Sequence, residues 1–402
     1  MGGHHRGPGR DERGRTPRVA WLVLAPIALL TLVAMAWLWP TGDVVPEGGQ
    51  GSADQYDGRI TAIERSECTE ELTDDVNGCG TATVSLETPE DDPRDEPVDS
   101  AEVPLPNGPG APEVEEGDDV VLILNETPDG ESYAIVDHQR GTGLVVLAGA
   151  FVLAMVAFGR WRGVSALAGL GVTFLLLLYF VVPAILAGSP PLLVAIVGSA
   201  AIMLTVLYLT HGLGATTTVA VLGTLASLTL TGLLSALAVS ALHLTGVTDD
   251  LSLAVGMTQG VNTEGLLLAG IAIGSLGVLD DVTVTQSATV AELARANPAY
   301  GALQLFRAGS RVGRSHIASV VNTIVLAYAG SALPLLILIV ANTESLGSVV
   351  TDQIIAQEVV RSVVATLGLV AAVPLTTGLA ALVLRGVPEA PAEPAATVSP
   401  QI

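Results

Sequence analysis

The sequence predicts a polytopic α-helical membrane protein of about eight transmembrane helices, with a small extracytoplasmic β-rich domain, barrel or OB-like, after the first helix. Half of the 402 residues are hydrophobic and only 14% are charged. The mean hydropathy is +0.58, and several apolar runs reach the ~20 residues that a membrane-spanning helix needs. Short runs typical of strands are confined to one acidic stretch, residues 40–140. These observations exclude a soluble core as the main architecture.

The chain begins with a stretch rich in Gly and Arg. Residues 1–18 show no periodicity, which predicts a disordered basic tail in the cytoplasm, and the apolar run at 19–39 predicts a transmembrane anchor. A cleavable signal peptide is the alternative, because the small residues around Ala34 resemble a cleavage site. The run continues through Trp37 and Trp39, an aromatic belt typical of membrane interfaces, and this favours an uncleaved anchor.

Residues 40–140 predict an extracytoplasmic acidic β domain. Its strand-like runs, separated by Pro, Gly and Asp clusters, lie at 58–64, 81–87, 119–124 and 132–137. Cys68 and Cys79 flank a hairpin-sized loop, and on the oxidising side of a membrane we expect them to form a structural disulfide. The net charge of -23 repels nucleic acid, which excludes a nucleic-acid-binding function.

Residues 141–386 predict a membrane domain of seven helices. The apolar runs lie near 142–159, 164–187, 191–209, 216–243, 264–286, 316–341 and 361–384. Cytoplasmic segments of membrane proteins carry an excess of basic residues. A cytoplasmic N-terminus places most of the 17 basic residues on that side, namely Arg6, Arg10, Arg13, Arg15, Arg18, Arg160, Arg162, Arg295, Arg307, Arg311, Arg314 and Arg385. We therefore expect a multi-pass protein of the bacterial plasma membrane with both termini in the cytoplasm, where residues 387–402 form a disordered tail.

Two adjacent acids, Asp280 and Asp281, lie inside the predicted helix that starts near Gly265 and runs on to Arg295. An ionisable residue at such depth costs roughly 2.5–3.5 kcal/mol on insertion scales and is a functional hypothesis by default. At 100° per residue, Asp281 shares one face with three glycines that are expected to pack against a neighbouring helix: Gly270, Gly274 and Gly277. Asp281 is thus predicted to point into the bundle. We interpret the two acids as a proton or cation site; the alternative is a structural, hydrogen-bonded pair.

The following helix supplies candidate partners for these acids. Asn322 and Thr323 lie at the depth of Asp281 if the two helices are antiparallel, and we expect one of them to hydrogen-bond a carboxylate. The sequence contains no metal-ligand cluster, no catalytic Ser/His/Asp set and no phosphate-binding loop, which would require a Lys that the chain lacks. It therefore predicts no enzyme, no cofactor and no metal site.

A resemblance to a known family is carried by four runs: LLVAIVGSAAIMLTVLYLTHG, GLLLAGIAIGSLGVLDDVTVTQSATVAELARANP, LFRAGSRVGR and NTIVLAYAGSALPLL. They resemble the YibE/F-like family of bacterial membrane proteins. The resemblance implies an anchor, an outside β domain and the helices after it, and it implies no reaction. Family members often show one acid where this chain has Asp280 and Asp281, so which of the two matters stays open. The pattern of deep acids followed by a polar-faced return helix is also similar to the proton-relay half of resistance-nodulation-division exporters.

Two functions are consistent with this sequence. The first is a transporter or permease of unknown substrate that uses the Asp pair as a proton or cation site. The alternative is a non-transporting membrane scaffold, assembly or sensor factor whose outside domain binds an envelope partner. The expected partners are the lipid bilayer and either an envelope protein or a second copy of the chain.

Overall fold

A computed structural model describes residues 18–40, 55–68, 76–87, 99–127, 130–247, 250–334, 336–337 and 352–384. The predicted tails at 1–18 and 387–402 lie outside these residues, except for Arg18 at the start of the first helix. The chain divides into two compact units, Val45–Phe158 and Met1–Val44 with Gly159–Ile402.

The first unit contains a five-stranded antiparallel sheet with the strand order β3-β2-β1-β4-β5. Its strands are β1 (Gln55–Ser66), β2 (Cys79–Glu87), β3 (Ser100–Pro104), β4 (Asp119–Thr127) and β5 (Gly130–His138). The four strand-like runs of the sequence fall inside β1, β2, β4 and β5. The short β3, SAEVP, was not predicted.

Alternation along β1 gives the sheet one buried face. Tyr56, Gly58 and Ile60 are buried, whereas the residues between them are exposed. Gly58 is required by close packing, because a Cβ atom there would lie 2.7 Å from Val84 Cγ1. The rest of this core is apolar and includes Val103, Val120, Leu122 and Ile135.

Two features fix the loops of this unit. Cys68 and Cys79 form a disulfide that joins the segment after β1 to the start of β2. The buried amide of Asn77 donates to the carbonyl oxygens of Pro106 (2.6 Å) and Pro112 (2.8 Å) and accepts from the Val114 amide at 2.8 Å. Asn77 thereby holds the connection between β3 and β4.

The helices in the described part of the chain are α1 (Arg18–Trp37), α2 (Gly141–Leu176), α3 (Val182–Leu186), α4 (Pro191–His211), α5 (Ala215–Ala241), α6 (Asp250–Gln259), α7 (Thr263–Ala296), α8 (Ala302–Ser331) and α9 (Gln353–Val383). A single π-helical turn, Leu177–Val181, joins α2 to α3. The second unit holds α1 and all helices from the second half of α2 onward.

Five segments of the described chain are long and apolar enough to cross a membrane: Gly141–Leu186, Pro191–His211, Ala215–Ala241, Thr263–Ala296 and Gln353–Val383. The chain is therefore a membrane protein, but the eight predicted transmembrane helices are not confirmed. The apolar part of α1, Leu22–Trp37, is shorter than a full span. α8 is not among the five, since its first half carries polar and basic residues.

The break predicted between the helices at 142–159 and 164–187 is present as a kink at Arg160, whose backbone angles are not helical (φ 51°, ψ −130°). One predicted boundary differs in the structure. The predicted span at 316–341 starts earlier, because α8 begins at Ala302 and runs without a break to Ser331.

Close contacts set the direction of each helix in the bundle around α7. α4 is parallel to α7, because Pro191 lies against Gly265 near the start of both helices. We call this the Pro191 end of the bundle, and the opposite end, where α4 finishes, the His211 end. α5 and α8 are antiparallel to α7, and α9 is parallel to it; the contacts that show this are described below.

Candidate functional site

The polar residues of α7 that face the bundle begin at Asp280. From there toward the His211 end, Thr283, Gln286 and Ser287 are buried, and Asp280 itself is half-buried. Their spacing of three, three and one residues keeps them on one side of the helix. Before Asp280, the buried positions of α7 are nearly all apolar, as at Ile271. The polar part of the site is therefore confined to one half of α7.

Gln286 links α7 to two other helices. Its amide nitrogen donates to the carbonyl oxygen of Gly309 in α8 at 2.9 Å and to the hydroxyl of Thr377 in α9 at 2.7 Å. Glycine is needed on α8 for this approach: a Cβ atom at Gly313 would lie 2.8 Å from Gln286 Oε1 and 2.5 Å from Val373 Cγ1. A polar side chain thus holds three helices together at one level.

Thr283 links α7 to α5. Its hydroxyl lies 2.6 Å from the hydroxyl of Thr224, and both side chains are fully buried. Nearer the Pro191 end, Val239 of α5 packs in one cluster with Leu268 of α7, which shows that the two helices are antiparallel.

α5 and α9 meet through two reciprocal glycine–threonine contacts. Gly223 of α5 lies against Thr376 of α9, and Gly368 of α9 lies against Thr231 of α5; a Cβ atom at either glycine would overlap the threonine hydroxyl. Glycines that admit a neighbouring helix so closely are typical of helix pairs in membranes. The two contacts fix the register of α5 against α9.

The interior of the bundle is lined by hydroxyl and amide groups that the sequence analysis did not identify. On α5, four of them follow the helical spacing of three, four and four residues, which was the available signal. The fully or nearly fully buried set comprises Thr217, Thr218, Thr224, Ser227, Thr231 and Ser235 on α5, Ser275, Thr283, Gln286 and Ser287 on α7, and Gln357, Thr376 and Thr377 on α9. Most of the hydroxyls on α5 bond a carbonyl one turn back in their own helix.

Asp280 differs from these groups because part of its polar surface has no partner. Its Oδ1 atom is buried and accepts no hydrogen bond from any described residue. The hydroxyl of Thr283 donates to the backbone carbonyl of Asp280 at 3.1 Å and does not reach the carboxylate. A buried carboxylate oxygen with no donor is able to bind a proton or a cation.

Asp281 does not point into the bundle, and that prediction is wrong. Its side chain is exposed, as are Gly270, Gly274 and Gly277 on the same face. A Cβ atom at Gly270 or Gly277 would have no heavy atom within 4 Å, so these two glycines do not pack against another described helix, whereas Gly274 lies near the Tyr328 hydroxyl of α8. The physical reason is that α7 buries its opposite side, where large apolar side chains and Gln286 fill the space between helices.

The predicted partners Asn322 and Thr323 also do not reach the acids. Both side chains are exposed on α8, and the Thr323 hydroxyl donates to Ser319 in its own helix at 3.2 Å. α8 is antiparallel to α7, as expected, because Gly309 lies at Gln286 and the Tyr328 hydroxyl lies near Gly274. The face of α8 that contacts α7 is the one that carries its buried glycines.

A cavity of 710 Å³ lies at the Pro191 end, between the ends of α5 and α7 and beside α6. Its polar lining residues are Ser240, His243, Thr245, Asn262, Thr263 and Glu264. His243 adopts a left-handed backbone conformation (φ 52°) that is uncommon for a residue other than Gly. Buried apolar residues of α7 separate this cavity from Asp280, among them Leu268, Ile271 and Leu276.

The sheet presents an acidic surface that carries a two-bond ion pair between Arg59 and Asp119. The guanidinium of Arg59 donates to both carboxylate oxygens of Asp119, at 2.6 and 3.0 Å, and this bond lowers the pKa of Asp119 below its usual value of 3.8. Other acids of this unit are exposed, namely Asp57, Glu64, Glu67, Glu102, Glu113, Glu115 and Glu116. No group of three or more His, Cys, Asp or Glu side chains arranged to hold a metal occurs in the described part of the chain.

Comparison with known proteins identifies the family. The profile described as YibE/F-like protein matches residues 147–386, from the first half of α2 to just beyond α9, and leaves out α1 and the sheet. No curated protein matches the chain, and no solved structure does. The match spans more than half of the 402 residues and confirms the family that the sequence predicted: the chain belongs to the YibE/F-like protein family.

Proposed function

We propose that this protein is a transporter or permease in which Asp280 is the proton- or cation-binding group. The observation that carries the proposal is the buried Asp280 Oδ1 atom, which has no donor among the described residues. Burying such an oxygen is costly unless it is protonated or binds a cation. The proposal narrows the site from the Asp280–Asp281 pair to Asp280, because Asp281 is exposed.

The bundle offers polar groups on both sides of a largely apolar part of α7. The cavity near Glu264 is polar and open at the Pro191 end, and the buried hydroxyl and amide groups around Thr283 and Gln286 lie toward the His211 end. The apolar side chains between them separate the two regions. In this proposal the cavity admits solute from one side, and a rearrangement of α7 against α5 and α9 opens the way to Asp280.

The proposal includes the topology expected from the arginines. It takes both termini as cytoplasmic, the sheet as an extracytoplasmic OB-like barrel and the plasma membrane as the location. Two observations support it: the strand order β3-β2-β1-β4-β5 is the order of such a barrel opened between β3 and β5, and Gly141–Leu186 is long enough for two crossings with a turn at Arg160. The proposed activity is transport and not an enzymatic reaction.

Flux through the purified protein tests this proposal. The full chain is reconstituted into liposomes that contain a pH-sensitive dye, and a proton or Na⁺ gradient is imposed. We expect wild-type protein to dissipate one of these gradients and Asp280→Asn to lose at least nine tenths of that rate. If folded wild-type protein dissipates neither gradient faster than empty liposomes, the proposal is overturned.

A second candidate function is favoured by the sheet. This unit has its own apolar core and an exposed acidic surface, as expected for a scaffold, assembly or sensor factor that binds an envelope partner. Comparing a strain that expresses Asp280→Asn with one that expresses the chain without residues 45–135 separates the two functions. If the deletion strain shows a phenotype and the Asp280→Asn strain shows none, the scaffold function is favoured. If the Asp280→Asn strain shows a phenotype and the deletion strain shows none, transport is favoured.

A further inference from the structure

One side of α7 is exposed and polar at the level of the membrane. Gly270, Gly274, Gly277 and Asp281 follow spacings of four, three and four residues, so they form a line along the helix, and all four are exposed. The nearest heavy atom to a Cβ at Gly274 would be the Tyr328 hydroxyl at 3.6 Å. The line is therefore open at Gly270 and Gly277, touches α8 at Gly274 and ends at the carboxylate of Asp281.

The neighbouring face of α8 is polar and exposed as well. Ser319, Asn322 and Thr323 are all exposed, and the Asn322 side chain makes no hydrogen bond within the part of the chain that the structure describes. α8 contacts α7 through Gly309 and Tyr328 and contacts α9 through Gly313, and both of these helices are candidate membrane spans. The exposed groups of α8 therefore lie at membrane depth, where lipid supplies no hydrogen-bonding partner.

The two polar surfaces share one depth. Gln286 contacts Gly309 and Gly313 of α8, and Gly274 contacts Tyr328. Interpolating between these contacts places Asp281 level with about residues 317–319 of α8, so Ser319 lies within about half a helical turn and Asn322 within about one and a half turns.

Within one chain, the structure shows no hydrogen bond between the Asp281 side chain and those of Ser319, Asn322 or Thr323, all of which it describes. The carboxylate oxygens of Asp281 are hydrogen-bond acceptors, whereas the Asn322 amide nitrogen and the Ser319 hydroxyl are donors. A two-fold axis parallel to the membrane normal leaves equivalent residues of the two copies at the same depth in the membrane. Such an axis brings the acceptor of each copy to the donors of the other, which is the self-complementarity that an isologous interface requires.

The glycines make this approach possible. Small residues along one face let two membrane helices come close enough for their backbones to contact, and Gly270 and Gly277 have open space where a Cβ would be. We propose that the exposed α7–α8 face is the interface of a homodimer, in which α7 packs on α7 and Asp281 of each copy accepts a hydrogen bond from Asn322 of the other. The dimer goes beyond the proposed transport function, since Asp280 lies on another side of α7 and does not take part in it.

The oligomeric state of three proteins in lipid nanodiscs tests the interface. We compare wild type, Gly277→Leu and the control Gly171→Leu by native mass spectrometry. Gly171 is also an exposed helical glycine with no heavy atom within 4 Å of a Cβ, but it lies on α2. We expect wild type and Gly171→Leu to be dimers and Gly277→Leu to be mostly monomer. A monomeric wild type, or a Gly277→Leu variant as dimeric as the control, would overturn the proposal.

Disulfide cross-linking provides a test that does not rely on the Leu variant folding. Chains with Asp281→Cys and chains with Asn322→Cys are co-expressed under different tags, and oxidation is followed by capture of one tag. The native Cys68 and Cys79 are already joined to each other. We expect the two tags to become linked at least tenfold more than when Gly171→Cys replaces Asn322→Cys. Equal linking in both pairs contradicts the interface and would indicate that another segment or a different protein covers this face.

Discussion

The amide nitrogen of Gln286 lies 2.9 Å from the carbonyl oxygen of Gly309 and donates a hydrogen bond to it across α7 and α8. The same amide also donates to Thr377, so one side chain fixes the distance between three helices. Gln286 lies about one turn beyond Thr283 on α7 and on the same side of the helix as Asp280. The polar core of the bundle is therefore both a structural element and the wall of the proposed site.

Replacing Gln286 by Leu removes both interhelical hydrogen bonds. Bonds of this kind contribute about 0.6–1.7 kcal/mol each in membrane proteins, so we expect a clear loss of stability, of roughly 1–3 kcal/mol in total. Thermal unfolding in detergent measures it, with Thr285→Val, at an exposed position of the same helix, as the control. A Gln286→Leu variant that unfolds at the temperature of the control contradicts the structural role of Gln286.

Gly313→Ala tests how tightly α8 packs against α7 and α9. The added Cβ would lie 2.5 Å from Val373 Cγ1 and 2.8 Å from Gln286 Oε1, and overpacking of this kind destabilises by about 1–3 kcal/mol. Gly330→Ala is the matched control, because Gly330 is in the same helix with no heavy atom within 4 Å of a Cβ. We expect a lower unfolding temperature for Gly313→Ala alone. Equal unfolding temperatures would show that α8 does not approach α7 this closely.

The ion pair between Arg59 and Asp119 makes the sheet sensitive to acid. The pair lowers the pKa of Asp119, so the folded sheet binds this proton less readily than the unfolded chain does. The pair therefore stabilises the sheet above the usual pKa of 3.8, and this contribution is lost as the pH falls through the lowered value.

Hydrogen exchange in β1 and β4 at decreasing pH measures this effect. We expect the protection of backbone amides to fall as the pH drops below 3.8. The fall is expected to be smaller in Asp119→Asn than in the control Asp57→Asn, which alters an exposed acid on β1. An identical fall in the two variants would show that the ion pair does not contribute.

The sequence predicted some features of this fold and missed others for physical reasons. The alternating patterns identified β1, β2, β4 and β5, but β3 is only five residues long and contains an acid and a proline. The continuous α7 was predicted because its apolar run passes into a helical polar segment without a break. The buried side of α7 was not predicted correctly. The side with Gly270, Gly274 and Gly277 and the side that carries Gln286 both suit helix packing, and only the neighbouring helices decide between them.

The candidate site was only partly predictable. Asp280 and Asp281 stand out in the sequence, because charged residues in an apolar run are rare. Which of the two is exposed depends on a 100° rotation of α7 about its axis, and the sequence does not determine that rotation. Gln286 was missed because its partners, Gly309 and Thr377, come from distant parts of the chain. The hydroxyl groups of α5 each suit an ordinary membrane helix, and their significance appears only when α7 and α9 are placed beside them.

The most direct test of the proposed function compares Asp280→Asn with Asp281→Asn in the same liposome flux measurement. The two residues are adjacent, so both substitutions replace a carboxyl group by an amide at nearly the same depth, but only Asp280 has a buried carboxylate oxygen. The proposal predicts that Asp280→Asn loses the flux and that Asp281→Asn keeps it. Loss of flux in Asp281→Asn with a fully active Asp280→Asn would contradict it.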